Sequence, residues 1–400
     1  MILLLSFSLR IAVAGYSNQD AISGSLRGDA LHDLAAQNIL LGNGFTLKAG
    51  IPYSFNPPGY AFFLASAYAL FGRNWLALGF SQTSITLLTL VLVYLTTRRM
   101  FGSKAAVMSI AIAGLYPYTI YHASRVMDTT LFTLFLVAAT CVLVNFWKQM
   151  TWKICILLGF ILGIGCLVRS TMVAVMLAIV LWLVLTLGRT RGIVASALCV
   201  TGAVLAIMPW TIRNLYVESA FIPIDSKGMT NIYMGNNPLT LQYMEQGLSL
   251  DTIWGDDRLP KEPPGLTQEK RVRWYFHRIA TFAQQEPNAF LKLLWSKAIY
   301  LWSPRINPAS TQTFAFDFAS IRDVIYTVSY IPLIGFGIVG IVLSIRSRQE
   351  TLLFLVLFFT YTLVNVLVWT STRLRIPLDS LIAVFSGYAL WRTCRFLGWR

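Results

Sequence analysis

The sequence predicts an all-α polytopic membrane protein of about ten transmembrane helices, with interfacial helices in its first outer loop and a mixed extracytoplasmic loop domain. Three observations carry this. Of 400 residues, 56% are hydrophobic and only 12% charged; apolar runs recur along the chain; and basic residues cluster just outside those runs. A soluble domain of this length carries roughly 25% charge and cannot absorb so much apolar surface. The net charge of +15 would suit a nucleic-acid partner if it formed a basic face on a soluble domain. Its placement beside apolar runs is instead the positive-inside pattern of membrane proteins.

A spanning helix needs about 20 mostly apolar residues. Ten stretches are candidates: 2–14, 75–97, 105–123, 129–147, 154–168, 170–187, 193–210, 326–345, 351–369 and 377–391. The first is expected to be a short span rather than a cleaved leader, because Arg10 interrupts it and no small-x-small cleavage site follows. Residues 154–187 carry a single charge, Arg169, at their middle. As one helix they would be about 50 Å long at 1.5 Å per residue, so two short spans turning at Arg169 fit the bilayer better.

With the N-terminus inside, the short basic clusters all fall on the cytoplasmic side. They are Arg98, Arg99 and Lys104; Lys148 and Lys153; Arg189 and Arg191; Arg346 and Arg348; and Arg392, Arg395 and Arg400 in the tail. A further crossing at 60–71 would turn every later cluster outward. That run, only about a dozen residues and short for a span, is therefore expected to lie at the outer interface. Two hydrophilic regions, 17–58 and about 211–323, then share the outer face. The expected organisation is a transmembrane module at 1–210 (with the first outer loop at 17–74), a loop domain at 211–325 and C-terminal helices at 326–400. From Glu269 to Trp302 mixed charges alternate with aromatics at helical spacing, which predicts amphipathic surface helices. The expected location is the cytoplasmic (inner) membrane, with both termini inside and the polar loops outside.

The polar residues of the outer face are the candidates for chemistry. Asp29 is placed to N-cap a helix running to Leu41, ended by Gly42-Asn43-Gly44; a carboxylate beside the membrane is also what a general base requires. Asn56-Pro57-Pro58-Gly59-Tyr60 forms a rigid turn into the interfacial helix. Arg125 and Asp128 stand where the fourth span begins, as an ion pair or interfacial anchors. Arg169, Arg213, Arg373 and Arg375 complete a set of five outer arginines, on a face that the positive-inside rule leaves poor in them. Arginine binds phosphate oxygens bidentately. Asn236 and Asn237 either hydrogen-bond a ligand or form the turn before Pro238. The five cysteines lie in or beside apolar runs and read as small buried hydrophobes. His32, His122 and His277 are scattered, and no metal-ligand spacing, P-loop or GxSxG motif occurs; the run Gly335 to Gly340 spells GxGxxG but lies inside an apolar span, not between a strand and a helix as a dinucleotide site requires.

In order along the chain these motifs resemble the GT-C class of polytopic glycosyltransferases. They are similar to the bacterial family related to protein O-mannosyltransferases and lipid A aminoarabinose transferases. The resemblance rests on Gly28-Asp29-Ala30, Leu40-Leu41-Gly42-Asn43-Gly44, Asn56-Pro57-Pro58-Gly59-Tyr60 with Phe71-Gly72, Tyr116-Pro117 and Leu167-Val168-Arg169. It continues through Pro209-Trp210-Thr211-Ile212-Arg213-Asn214, the loop from Ser226 to Pro238, and Arg373-Leu374-Arg375-Ile376-Pro377-Leu378-Asp379. Asn56 departs from the pattern, standing where the family often has an arginine.

The resemblance implies an inverting transferase that moves a sugar from a polyprenyl-phosphate donor to a hydroxyl on a lipid, glycan or protein acceptor. It implies no cofactor, a divalent cation being the one open alternative, and the charge placement already speaks for no nucleic-acid partner. Asp29 would be the base and Asp128 would position the acceptor or pair with an arginine. Arg125, Arg169, Arg213, Arg373, Arg375, Asn236, Asn237 and Tyr60 would contact substrate or phosphate. The rival readings are a transporter or flippase of lipid-linked glycans, which would place charges at mid-membrane and repeat its halves, and a non-catalytic envelope assembly partner.

Overall fold

The computed structural model describes residues 1–17, 29–248, 250–304, 318–345 and 349–398, with 318–320, 322 and 323 described through the backbone alone. Gly28, Arg346, Arg348 and Arg400 lie outside the described residues. The protein is a multi-pass, almost wholly helical membrane protein. Five of its helices are long and apolar enough to cross a bilayer: Trp75–Phe101, Thr129–Gln149, Arg189–Glu218, Val324–Ser344 and Gln349–Leu367. Ile2–Ser17, Ser103–Leu115, Trp152–Val168 and Met172–Leu187 are apolar but shorter, and the final helix, Ile376–Phe396, has 21 residues.

In chain order the spans and their connections begin with α1 (Ile2–Ser17), α2 (Ala30–Leu40), a two-stranded hairpin (β1 Thr46–Lys48, β2 Ile51–Pro52) and α3 (Gly59–Phe71). They continue with α4 (Trp75–Phe101), α5 (Ser103–Leu115), α6 (Pro117–Ala123), α7 (Thr129–Phe146), α8 (Trp152–Val168), α9 (Met172–Leu187) and α10 (Arg189–Glu218). A loop domain of α11 (Lys227–Gly235), α12 (Pro238–Glu245), α13 (Gln268–Gln285) and α14 (Pro287–Leu301) precedes α15 (Phe318–Ser344), α16 (Gln349–Leu367) and α17 (Ile376–Phe396).

Two expectations need correction. The run 105–123 is not one helix but α5 and α6, because Pro117 has no N–H to donate and its ring disfavours helical backbone at Tyr116. The break leaves the carbonyls at the end of α5 without partners, and Arg10 supplies one: its Nη1 donates to Gly114 O at 2.7 Å and its Nη2 to Thr119 Oγ1 at 3.0 Å. The charge that interrupts the first apolar run is thus a buried cap for a broken neighbour. The second correction concerns α10. It does not end near Trp210 but continues to Glu218, so Arg213 and Asn214 are helical residues rather than the start of a loop.

The core is assembled by close helix approaches at glycine. α8 and α10 pack most intimately: a Cβ at Gly159 would stand 1.9 Å from Cys199 O, and one at Gly202 would stand 2.3 Å from Ile156 O. Around this seam Phe132, Leu158, Trp182, Phe354 and Tyr361 are buried in one apolar cluster. α3, expected at the interface, packs on α2, α4 and α8 with Tyr60, Leu64 and Tyr68 buried.

The loop domain has its own small core, including Tyr233, Tyr243, Ile253, Leu259 and Tyr275. Fully buried Lys297 fastens α14 to the end of α11, its Nζ donating to Gly235 O and Asn236 Oδ1, both at 3.1 Å, and reaches the end of α16 at Val368 O, 3.5 Å. Burial lowers the pKa of this ammonium to about 7. Asn236 Nδ2 in turn donates to Leu367 O at 2.7 Å.

Gly159→Ala is expected to destabilise the protein by at least 1–3 kcal/mol, the usual cost of overpacking, because the methyl would meet backbone. Gly335→Ala on α15, where a Cβ meets nothing within 4 Å, is the control and should leave stability unchanged or slightly raised. Thermal unfolding in detergent, followed by tryptophan fluorescence, checks the pair; equal melting temperatures would refute the seam.

Candidate functional site

A cavity of about 180 Å3 opens where the N-termini of α2, α7, α9 and α11 meet the segments before α3 and α17. The basic clusters at Arg98, Lys148, Lys153 and Arg189 stand at the opposite ends of α4, α7, α8 and α10. Asp29, His32, Asn56, Asp128, Arg169, Asp225, Lys227, Asp251, Trp254 and Arg373 are among its lining residues. Each is brought there by a local device.

Asp29 is the N-cap of α2, and its Oδ1 accepts from Leu31 N at 3.0 Å. Its backbone N donates to Val126 O at 2.8 Å, which joins the start of α2 to the loop carrying Asp128. The second carboxylate oxygen lies 3.8 Å from His32 Nε2. Burial lowers the pKa of His32, against the pull of Asp29; edge-on contact with Tyr60 fixes the ring.

Asp128 is held in a fork by Arg169, whose Nε donates to Oδ2 at 2.8 Å while Nη2 donates to Oδ1. Nη2 also donates to Thr129 Oγ1 at 2.9 Å, and the guanidinium lies 4.9 Å from the Phe132 ring centre. Arg169 occupies the turn between α8 and α9, in extended backbone. Burial pushes the Asp128 carboxyl up, but the guanidinium outweighs it and holds the group at about 2, below its ordinary 3.8.

The Asn56-Pro57-Pro58 turn reaches the cavity because Gly59 lies against α8; a Cβ there would stand 2.8 Å from Leu167 O. Asn56 Oδ1 accepts from Lys227 Nζ at 3.2 Å. That ammonium sits 5.5 Å from the Phe55 ring centre and 5.9 Å from that of Trp254. Burial lowers its pKa and Asp29 raises it. Arg373 stands 3.9 Å from Asp251 at the more exposed side. Four buried lining atoms, Asn56 Nδ2, Arg169 Nη1, Thr171 Oγ1 and Asp225 Oδ2, make no hydrogen bond of normal geometry among the described residues. A folded protein rarely leaves so many such atoms together unless a polar ligand or water serves them.

The structure therefore brings Asp29, Asp128, Arg169 and Arg373 together and places the other sequence candidates in supporting positions. Tyr60 lies beneath the cavity: its hydroxyl accepts from Met127 N at 2.8 Å and donates to Gln82, fixing the loop that presents Asp128. Arg125 folds back on Tyr121. Arg213 donates to Tyr53 O and Phe45 O at 3.0 and 3.1 Å, tying α10 to the hairpin segment. Arg375 pairs with Asp379 at 3.2 Å, donates to Ser303 O at 2.6 Å and covers the Tyr330 ring. Asn236 serves the Lys297 junction, and Asn237 caps α12 by accepting from Thr240 N.

Lys227, His32, Asp225, Asp251 and Trp254 were not singled out from sequence. Lys227 stood in a recognised motif, but its partner Asn56 is 171 positions away. Among the described residues no three metal-ligating side chains converge.

Residues 56–212 match the family model of dolichyl-phosphate-mannose-protein mannosyltransferases. The archaeal oligosaccharyltransferase AglB from Archaeoglobus fulgidus, solved with an inhibitory peptide and a dolichol-phosphate, superposes with a TM-score of 0.57 at 14% identity. That match covers 99% of this chain and 50% of that one. The apo form of the same organism's enzyme gives 0.58 at 13% identity, with coverage of 99% and 50%. This chain has the GT-C fold. It spans about half the length of the GT-C oligosaccharyltransferase it matches. ArnT from Cupriavidus metallidurans, bound to undecaprenyl phosphate, aligns at 16% identity over 97% of this chain and 77% of that one, with a TM-score of 0.46. No curated protein matches the sequence.

Breaking the central pair from one side leaves a charge without its partner. Asp128→Asn or Arg169→Gln should each cost about 2–3 kcal/mol, below the ~3–5 of a fully buried pair because the cavity keeps part of the carboxylate exposed. The double variant should lose less than the sum, as a double-mutant cycle in denaturant reads directly. Because the folded carboxyl titrates below its unfolded value, the pair's contribution is complete above about pH 4 and disappears as the pH falls towards 2. A stability change from this pair between pH 7 and 5 would contradict the assignment.

Proposed function

We propose that the chain transfers a sugar from a polyprenyl-phosphate donor to a hydroxyl acceptor, with inversion, at the outer face of the cytoplasmic membrane. The observation that carries this is one cavity in which Asp29, with one carboxylate oxygen beyond its cap, faces the cations Lys227, Arg373 and Arg169. The cavity opens at the helix ends away from the basic clusters, the outer side by the positive-inside rule. The family match and the AglB neighbour, solved with a dolichol-phosphate, support a lipid-phosphate donor.

The chemistry follows from these groups. The acceptor O–H gives its proton to Asp29 as its oxygen attacks the anomeric carbon. The bond from that carbon to the phosphate oxygen breaks, and the phosphate leaves with the electron pair. A single displacement inverts the anomeric centre. Negative charge grows on the leaving phosphate, where fixed cations stabilise the transition state more than the ground state. Lys227 and Arg373 are proposed for this role. Arg169 is committed to Asp128 and holds that carboxylate as a fixed acceptor for a sugar or acceptor hydroxyl.

Asp29 has two functions that substitution separates. Asparagine caps a helix about as well as aspartate, so Asp29→Asn should keep the fold while lowering kcat about 10²–10⁴-fold, the usual contribution of a general base. The assay is transfer from a panel of polyprenyl-phosphate sugars by purified protein, with the product's anomeric configuration read by NMR. Wild-type turnover in the variant, or a retained configuration, would overturn the mechanism. Lys227→Met should lower kcat about 10²–10³-fold, as loss of one charge-stabilising donor does. An unchanged rate would remove it from the phosphate site.

A further inference from the structure

A second cavity, of about 610 Å3, opens within the loop domain between α12 and α13. Its walls combine apolar surface from Leu239, Leu259 and Phe282 with the half-buried indole of Trp274 and the amides of Gln242 and Gln285. The mixture suits a ligand with a flat C–H face for the indole and hydroxyls around its edge for the amides. The charges are unequal in kind. Arg258 is committed to Asp256, with Nη2 donating to Oδ2 at 2.6 Å. Arg278 stacks on Trp274 with 4.6 Å between guanidinium carbon and ring centre and has no carboxylate partner among the described residues. Exposed His277 adjoins it, and Glu286, at the N-cap of α14, is the one acid among the described lining residues. A guanidinium fixed on an aromatic plate and left without an acid offers its edge to an anionic group.

The position is as informative as the composition. α11 contributes Lys227 and Asn231 to the first cavity and Tyr233 to the second. Lys227 and Tyr233 are six residues apart, about 9 Å along the axis but on different faces of α11, so a molecule that reaches both cavities passes over this short helix. Among the described residues the strands are β1 and β2, and neither lines this cavity, so it offers no strand edge for an extended peptide to join.

We propose that this cavity binds an acidic oligosaccharide, as the distal part of an acceptor whose reactive hydroxyl reaches Asp29. The acceptor role rests on the transferase reading above; the binding itself does not.

The test uses the full chain in detergent, titrated by calorimetry with tri-galacturonate, with neutral maltotriose and with hexaglutamate. Tri-galacturonate should bind saturably and about tenfold more tightly than maltotriose, the weight of one charge-assisted contact. Arg278→Gln, an exposed substitution that leaves the core alone, should abolish that preference. Trp274→Ala should weaken both sugars about tenfold. Absence of saturable binding by tri-galacturonate overturns the proposal, as does binding indifferent to both substitutions. Hexaglutamate binding as tightly, with the same dependence on Trp274 and Arg278, would replace the sugar by a peptide. Binding is read without donor or turnover, so failure here leaves sugar transfer standing, and failure of the transfer assay leaves the binding result intact.

Discussion

The Asp128–Arg169 fork is the constraint on which the rest of the site depends. A charge placed midway along a 154–187 helix would face hydrocarbon, where it is costly. The chain turns at Arg169 instead, and the turn delivers the guanidinium to a carboxylate that waits at the start of α7. That carboxylate is held by its own supports: Tyr60 and Gln82 grip the preceding loop, and the backbone of Asp29 donates into it. One ion pair therefore sets the ends of α7, α8 and α9 and, through the loop, the start of α2. The cavity is the space these four ends leave.

The roof is set by a different device. Lys297 is buried without a carboxylate, and its ammonium is satisfied by a carbonyl and an amide oxygen at the end of α11. Burial brings its pKa to about 7, well below the ordinary lysine value. Gly235 makes this junction possible: a Cβ there would stand 1.9 Å from Val368 O, at the end of α16. With the C-terminal end of α11 fixed to α16, its N-terminal end has one place to go, and Lys227 enters the cavity beside Asn56. A cation is thereby returned to a loop in which the motif itself holds a neutral amide.

What the sequence revealed divides along physical lines. Helices were legible because long apolar runs leave few alternatives, and the Asp29 cap and the Gly42-Asn43-Gly44 stop follow from local backbone chemistry: α2 ends at Leu40, with Gly42 and Gly44 at positive φ. The turn at Arg169 was legible because one charge in 34 apolar-rich positions has few places to lie. The break at Pro117 is legible too, because a proline inside an apolar run interrupts a helix whatever the hydropathy around it. Which outer arginines face the cavity was not legible. Arg213 and Arg373 look alike in sequence, each beside aromatic or aliphatic residues at a helix end. Whether a long side chain turns towards carbonyls or towards a cavity depends on partners far away in the chain, such as Tyr53 for Arg213 and Asp251 for Arg373. Lys227 was hidden for the same reason.

The division of the cations around the cavity also explains how one face can be rigid and still present charge to a ligand. Arg213 and Arg375 spend their donors on backbone carbonyls and so fasten α10 and α17 to the loops they meet. Arg169 is spent on Asp128. Lys227 and Arg373 make looser contacts, with a neutral amide and with an aspartate at 3.9 Å, while Asp29, Asp128 and Asp225 act on Lys227 from farther away. In the proposed transfer a leaving phosphate needs cations that are positioned but not locked in a close ion pair, and these two meet that condition. Asp29 follows the same economy: one oxygen is spent on the helix that positions it, and the other is left at the cavity beside a histidine whose burial favours its neutral form. The groups that hold the fold and the groups left open at the cavity are thus largely different atoms, even where they belong to the same residue.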